Sequence, residues 1–290
     1  MATIDLHFHS HASDGALAAD DVVRRAAATG ASLIALTDHD CTRGLAEARL
    51  AAEQVGVAFL DGVEVSVTWG KHTIHIVGLG MDPTDPALTR GLASIRDGRV
   101  ARAHAMAAHL EKVGIVGAFD GAMARCSNPE MIGRTHFARF MVQQNLVKDL
   151  RTVFRKYLTP GKPGYVAHEW ARLGDAVSWI RGAGGIAVIA HPGRYDLGRT
   201  LMERLILDFK DAGGGALEVS SGSHSLDDRH KFALLAERHQ LLSSAGSDFH
   251  APGEGAREVG RTDDLPPICR PVWEHLTPRP LAASTPVETE

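Results

Sequence analysis

The strongest constraint on this chain is a repeated unit: a short apolar run ends at histidine or aspartate and gives way to an Ala-rich amphipathic stretch. Strand-length apolar runs alternating with helix-length amphipathic ones dictate an α/β fold on a largely parallel sheet. The pattern predicts strands over 3–6, 33–37, 57–60, 186–190, 216–219 and 241–245, and helices over 17–29, 43–54, 173–182, 199–211 and 226–238. Gly30 and Gly56 close two of the helices, as expected of the residue that most easily takes the left-handed cap. Residues 63–68 and 73–77 flank Trp69-Gly70-Lys71 and read as a hairpin that interrupts the alternation.

At 290 residues the chain is long enough for one large barrel or two ordinary domains. The alternation lapses between Met81 and Lys162, where consecutive helical stretches rich in Ala, Arg and His are broken near 114–121 and 127–129. This predicts a barrel made of residues 1–80 and 163–265, a helical subdomain inserted at 81–162, and a loosely packed Pro-rich tail over 266–290. A net charge of -4 lacks the basic excess that duplex nucleic acid demands, so phosphate recognition should be local. Cys41, Cys126 and Cys269 are widely separated and form no CxxC pair, which points to reduced thiols. No leader-like start and no run of about 20 apolar residues is present, so a cytoplasmic enzyme with no membrane partner is expected.

The polar residues at the ends of these runs carry the chemistry. His7 and His9 alternate as the first strand gives out, so their rings point to one side; His11 continues the alternation as a supporting residue. Asp14 and Asp38-His39-Asp40 each sit between a strand and a helix, where the ordinary role of an aspartate is an N-cap. Glu64 and His75 lie among β-branched neighbours on the two arms of the hairpin, costly to bury unless paired with each other or with a metal. His191 follows one strand in Ala-His-Pro-Gly, and Asp248 and His250 follow another in Ser-Asp-Phe-His, the position where functional groups gather in α/β barrels.

Each cluster alone has a structural explanation; six histidines and three carboxylates at successive strand ends favour a metal site. Nitrogen and oxygen donors without thiolate suit Mn²⁺, Fe²⁺ or Zn²⁺. Nine ligands exceed one ion's coordination, so two or three ions are expected, with a hydroxide generated between them attacking phosphorus.

The set His7-x-His9, Asp14, Thr-Asp-His-Asp around His39, Glu64, His75, Ala-His-Pro around His191 and Ser-Asp-x-His at Asp248–His250 resembles the PHP (polymerase and histidinol phosphatase) family, through most of the chain and in order. The resemblance implies a distorted (β/α)7 TIM-like barrel related to amidohydrolases, with a trinuclear centre usually active with Mn²⁺. It implies His7, His9, Glu64 and Asp248 around one ion, Glu64, His75 and His191 around a second, and Asp14, His39 and His250 around a third. Gly133-Arg134-Thr135-His136-Phe137-Ala138 is similar to a Gly-Arg-Pro-His pattern in bacterial PHP proteins resembling nucleoside 3′,5′-bisphosphate phosphatases, with Thr135 where many relatives carry Pro.

Such a centre can cleave phosphate or amide bonds, and substrate recognition decides between them. Arg134 is the candidate phosphate fork. Arg99 and Arg102 share a helical face and are further candidates against a solvated-surface role, and Arg194 follows His191 closely enough to reach the site. Hydrolysis of the 3′-phosphate of a nucleoside 3′,5′-bisphosphate is the expectation, with Asp248 the candidate for proton transfer as well as ligation. Removal of 5′-nucleotides from short oligonucleotides, histidinol-phosphate hydrolysis, amidohydrolysis and a regulatory module with structural metals are the alternatives.

Overall fold

The computed structural model describes residues 3–278. It begins β1 (Thr3–Phe8), α1 (Ala19–Ala28), β2 (Ala31–Leu36), α2 (Leu45–Val55), β3 (Ala58–Trp69) and β4 (His72–Leu79). Five helices follow: α3 (Pro86–Arg96), α4 (Arg99–Glu111), α5 (Ala118–Met123), α6 (Arg134–Gln143) and α7 (Leu150–Val153), the last running into a π-helical turn over Phe154–Leu158. The alternation then resumes with β5 (Ala171–Arg172), α8 (Leu173–Gly182), β6 (Ile186–Ile189), α9 (Arg199–Asp211), β7 (Ala216–Ser221), α10 (Leu226–Arg238) and β8 (Leu242–Gly246).

Seven strands lie in the order β1-β2-β3-β4-β6-β7-β8, with the two-residue β5 paired to β3. All neighbours are parallel except β4, which runs antiparallel to both β3 and β6. The first and last strands meet through Asp248 N–H donating to the His7 carbonyl at 2.7 Å and His9 N–H to the Phe249 carbonyl at 2.9 Å. The sheet is therefore a nearly closed seven-stranded barrel, and reversed β4 is its main distortion. No helix among the described residues is long and apolar enough to cross a membrane.

Helices outside the barrel bury Val22, Val23, Ala48, Val177, Ile180, Leu205, Phe209 and Phe232 against the sheet in one extensive apolar cluster. Burial of this kind is worth roughly 1.5–3 kcal/mol for each large side chain. The helical stretch after β4 is divided in its packing. Leu88, Leu92 and Ile95 of α3 join the barrel cluster, and Gly91 passes Trp179 so closely that an added Cβ would stand 2.4 Å from the indole. The helices from α4 onward form a cluster of their own around Met106, Leu110, Phe137, Met141 and Leu158.

Three local expectations change. The expected strands over 57–60 and 63–68 merge into one, β3, which starts at Ala58: Asp61 is neutralised by Arg49 and Gly62 lies where a Cβ would meet the Thr37 methyl at 2.7 Å. No turn forms at this Asp-Gly pair. β5 has no counterpart in the apolar pattern. The stretch from Pro266, expected to be loose, packs as far as Leu276: Pro271 bridges Ser243, Val272 is buried, and Trp273 and Leu276 lean on Leu6, Leu60 and Leu79. The remainder of that stretch, 279–290, lies outside the described residues.

Candidate metal centre

All nine nominated ligands converge at one end of the barrel. His7 lies on β1 and His9 directly after it, Asp14 in the following loop, His39 after β2, Glu64 on β3, His75 on β4, His191 after β6, and Asp248 and His250 after β8. Glu64 is the hub. Its Oε1 takes His75 Nδ1 at 3.0 Å and His191 Nε2 at 2.9 Å, and its Oε2 faces His39 Nδ1 at 2.8 Å. His7 Nε2 stands 3.3 Å from Glu64 Oε1 and 3.6 Å from Asp248 Oδ1, and His9 Nε2 3.3 Å from that same Asp248 oxygen. Asp14 Oδ1 faces His250 Nε2 at 3.4 Å and His39 Nε2 at 3.9 Å.

These groups fit cations better than one another. His7 Nε2, His9 Nε2 and Asp14 Oδ1 are buried with no hydrogen-bond partner among the described residues, a state that proteins rarely tolerate. Donor atoms fall into compact groupings, each within 4.8 Å: His7, His9 and Asp248; His7, Glu64 and His191; His39, Glu64 and His75; and His9, Asp14, His39 and His250. All donors are nitrogen or oxygen, the chemistry of borderline and hard divalent ions. His11 belongs to none of these groupings.

Charge states suit the same role. Burial works to raise the Glu64 carboxyl, but His39, His75 and His7 hold it well below the usual range. Burial is likewise outweighed at Asp248 by Arg194 and His7, and at Asp14 by His250 and His39. Burial, reinforced by His250 and His39, pushes His9 down to about 3, and burial pushes His75 down to about 4 despite Glu64. His39 moves the other way: burial is overcome by Glu64 and Asp14, and it rises to about 9. Below that pH the ion-free protein keeps a proton that a ligating cation must displace. Mn²⁺ uptake at pH 7.5 should therefore release protons and tighten as pH rises toward 9. Calorimetry in two buffers of different ionisation enthalpy measures this, and buffer-independent heats would rule it out.

Residues not nominated from sequence support the cluster. Glu218, buried on β7, accepts from His7 Nδ1 at 3.1 Å and from the His191 backbone N–H. Beside it, a Cβ on Gly246 would lie 2.2 Å from His7 Cβ, so β8 can pass this point only as glycine. Asp38 accepts from Ser10 N–H, Ser10 Oγ and Ser13 Oγ, and Asp40 from Ser66 N–H and Oγ. Neither caps a helix, and nor does Asp14, since α1 starts after Ala18. The Tyr195 hydroxyl accepts the His75 N–H at 2.8 Å. Asp40, His191 and Asp248 sit at φ of 44°, 29° and 52°, strain of the kind held at functional sites. Carboxylates behind metal-ligating histidines typically change affinity 10–100-fold, so Glu218→Gln should weaken Mn²⁺ binding by that order. Equilibrium dialysis tests it; unchanged affinity would reduce Glu218 to a packing role.

Beside the cluster a cavity is lined by Arg99, Arg102, Arg134, Thr135, Phe154, Trp170 and Arg194. Arg99 and Arg102 are buried, which excludes a solvated helix face. Arg99 is paired with Asp40, and Arg194 reaches Asp248 Oδ2 at 2.5 Å. Arg102 and Arg134 form no ion pair among the described residues. Arg102 donates to the Val166 carbonyl and lies 5.3 Å from the Trp170 ring centre; Arg134 lies 5.9 Å from that of Phe154. Burial, with neighbouring guanidinium groups adding, lowers Arg102 to about 10, and burial lowers Arg134 too. A buried and a half-buried cation without carboxylates, both lining one cavity, make a site that an anion would relieve.

The chain has clear relatives. The family model described as "PHP domain" matches residues 5–158. The sequence is 69% identical, over 97% of this chain and 99% of the relative, to the 3′,5′-nucleoside bisphosphate phosphatase of Chromobacterium violaceum. It is 43% identical to the 5′-3′ exoribonuclease of Haemophilus influenzae, over 93% and 97% of the two chains. The fold superposes with a TM-score of 0.93 on a sulfate-bound, metal-free amidohydrolase structure from Chromobacterium violaceum, 69% identical and covering 94% of this chain and 95% of that one. With the family model matching residues 5–158 of 290 and relatives aligned across nearly the whole length, this protein belongs to the PHP domain family.

Proposed function

We propose that this protein is a cytoplasmic, metal-dependent phosphomonoesterase that hydrolyses the 3′-phosphate of nucleoside 3′,5′-bisphosphates, such as adenosine 3′,5′-bisphosphate, to a 5′-nucleotide and phosphate. The observation that carries this reading is the pair of guanidinium groups without a carboxylate partner, Arg102 buried and Arg134 half-buried, that line the cavity beside the ligand cluster. A substrate with two phosphates answers both features, one phosphate for the cluster and one for the arginines. The relative at 69% identity is named for that substrate class.

In this assignment His7, His9, Glu64 and Asp248 hold one ion, Glu64, His75 and His191 a second, and Asp14, His39 and His250 a third. Mn²⁺ is the proposed metal, with Fe²⁺ or Zn²⁺ also suited to the donors. When bound, such ions lower the pKa of water and neutralise charge on the phosphoryl oxygens. Arg134 grips the 5′-phosphate through its two-pronged fork, and Arg102 adds charge from its perch on Trp170. Arg99, committed to Asp40, shapes the pocket wall and keeps Nε for the substrate. Asp248, held ionised by Arg194 and the histidines, accepts a proton from the attacking water. The new P–O bond forms as the bond from phosphorus to the ribose O3′ breaks, and O3′ leaves as the alcohol with the proton that Asp248 took from the water. Helices α4–α7 serve as a lid over this mouth.

Phosphate release from adenosine 3′,5′-bisphosphate by the Mn²⁺-loaded protein tests the reading. Turnover should vanish on chelation and return with Mn²⁺; no release from this substrate would remove the assignment. Identity to the exoribonuclease favours a second substrate, short oligonucleotides bearing a 5′-phosphate, cut by the same chemistry. Comparing a 5′-phosphorylated dinucleotide with the bisphosphate ranks the two.

A further inference from the structure

One part of the ligand cluster is held from outside the barrel. Asp14 lies in the loop after β1, and α6 bonds both its side chain and its backbone. Thr135 Oγ1 donates to Asp14 Oδ2 at 2.8 Å, and Arg139 Nη1 donates to the Asp14 carbonyl at 2.6 Å. The same arginine forks onto Glu254 at 2.8 and 2.7 Å, four residues beyond His250. The two loops are also tied to each other, Ala16 N–H donating to the His250 carbonyl at 2.8 Å. One helix thus braces the segments that carry Asp14 and His250. The supports found for the other ligands are barrel residues: Glu218 for His7 and His191, and the Tyr195 hydroxyl after β6 for His75.

The bond from Thr135 has a directional consequence. It occupies Oδ2 and leaves Oδ1, buried and without a hydrogen bond, facing His250 and His39. A proline at position 135 could make no such bond. Arg134, next in the chain and on the same first turn of α6, presents its unpaired guanidinium to the cavity. A group that fixes Arg134 therefore fixes the turn that orients Asp14.

We propose that Thr135 and Arg139 are positioning residues for the Asp14–His39–His250 cation site, and that through them occupancy of this site is coupled to binding of a nucleotide phosphate at Arg134. This rests on the assignment of cations and phosphate made above. Coupling of two sites is reciprocal, so a nucleotide that tightens the cation must itself bind tighter when the cation is present.

The test is a Mn²⁺ titration of the metal-stripped full chain, followed by equilibrium dialysis and metal analysis, with and without adenosine 5′-monophosphate. Wild type should bind three ions, the weakest tightening about tenfold with the nucleotide. Thr135→Val should weaken that one ion 10–100-fold, leave the other two within about threefold, and abolish the nucleotide effect. Thr135→Ser, which restores the hydroxyl, should return all three quantities. Arg139→Met should weaken the same ion, with the melting curve showing whether its fold survives; the Thr135 pair carries the test if it does not. Unchanged affinities in Thr135→Val, or equal weakening of all three ions, would overturn the positioning role, and a wild type indifferent to nucleotide would overturn the coupling. A wild type that binds fewer than three ions would instead remove the three-site assignment beneath both.

Discussion

Asp248→Asn is expected to lower turnover of adenosine 3′,5′-bisphosphate by at least about 10³-fold, a loss of roughly 4 kcal/mol in transition-state stabilisation. The substitution keeps the shape and removes the charge. Oδ1 of Asp248 is shared by His7 and His9, and Oδ2 meets Arg194, so a neutral amide weakens a cation site and loosens the arginine beside it. An amide also takes no proton from water, so ligation and proton transfer fail together. The fold should survive, because backbone bonds between Asp248 and His7 and between His9 and Phe249 close the barrel independently of the side chain. Phosphate release, metal content and a thermal melt read the three consequences. Loss of turnover with an intact melt separates an enzyme from a module whose metals are structural; turnover within threefold of wild type would remove Asp248 from both roles.

How much of this was legible beforehand depends on what each residue had to reveal about itself. Helices α8, α9 and α10 match their expected limits, since amphipathic period and flanking strands agree there. The cluster of nine candidate ligands was legible for a related reason: histidine and aspartate at the end of an apolar run stand out against hydrophobic neighbours, and the fold brings them together. Residues that act through others did not. Glu218 offers one signal, a lone carboxylate between Leu217 and Val219 on a wholly buried strand. Asp38 and Asp40 flank a nominated histidine, yet which of three adjacent polar residues faces the centre is a matter of backbone direction, and the positive φ of Asp40 is invisible in sequence.

The arginines show a different limit. Three-residue spacing puts Arg99 and Arg102 on one helical face but says nothing of what covers that face. The covering group is Trp170, nearly seventy positions away, just before the two-residue strand that has no sequence pattern. Phe154, against Arg134, lies in a π-helical turn, equally unmarked. Long-range packing, not local propensity, turned possible surface charges into buried ones. That difference decides the chemistry, because a buried guanidinium without a carboxylate demands an anion whereas an exposed one does not.

Arg134→Met should therefore discriminate between substrates instead of lowering all activity alike. A hydrogen bond to a charged group contributes about 1.5–3 kcal/mol, so loss of a two-pronged contact should cut kcat/KM for adenosine 3′,5′-bisphosphate by about 10²–10³-fold. For adenosine 3′-monophosphate, which presents nothing to Arg134, the change should stay within about threefold, erasing the preference for the bisphosphate. Methionine keeps the packing on Phe154 and removes a half-buried charge that has no carboxylate partner, so stability should hold or rise. The distribution of the loss carries further information: a rise in KM with kcat kept means the 5′-phosphate is gripped equally in ground and transition states, and a fall in kcat means the grip aligns the 3′-phosphate for attack. Equal loss on both substrates would place Arg134 at the reacting phosphate, and no loss on either would return the choice of substrate to Arg102 and Arg194.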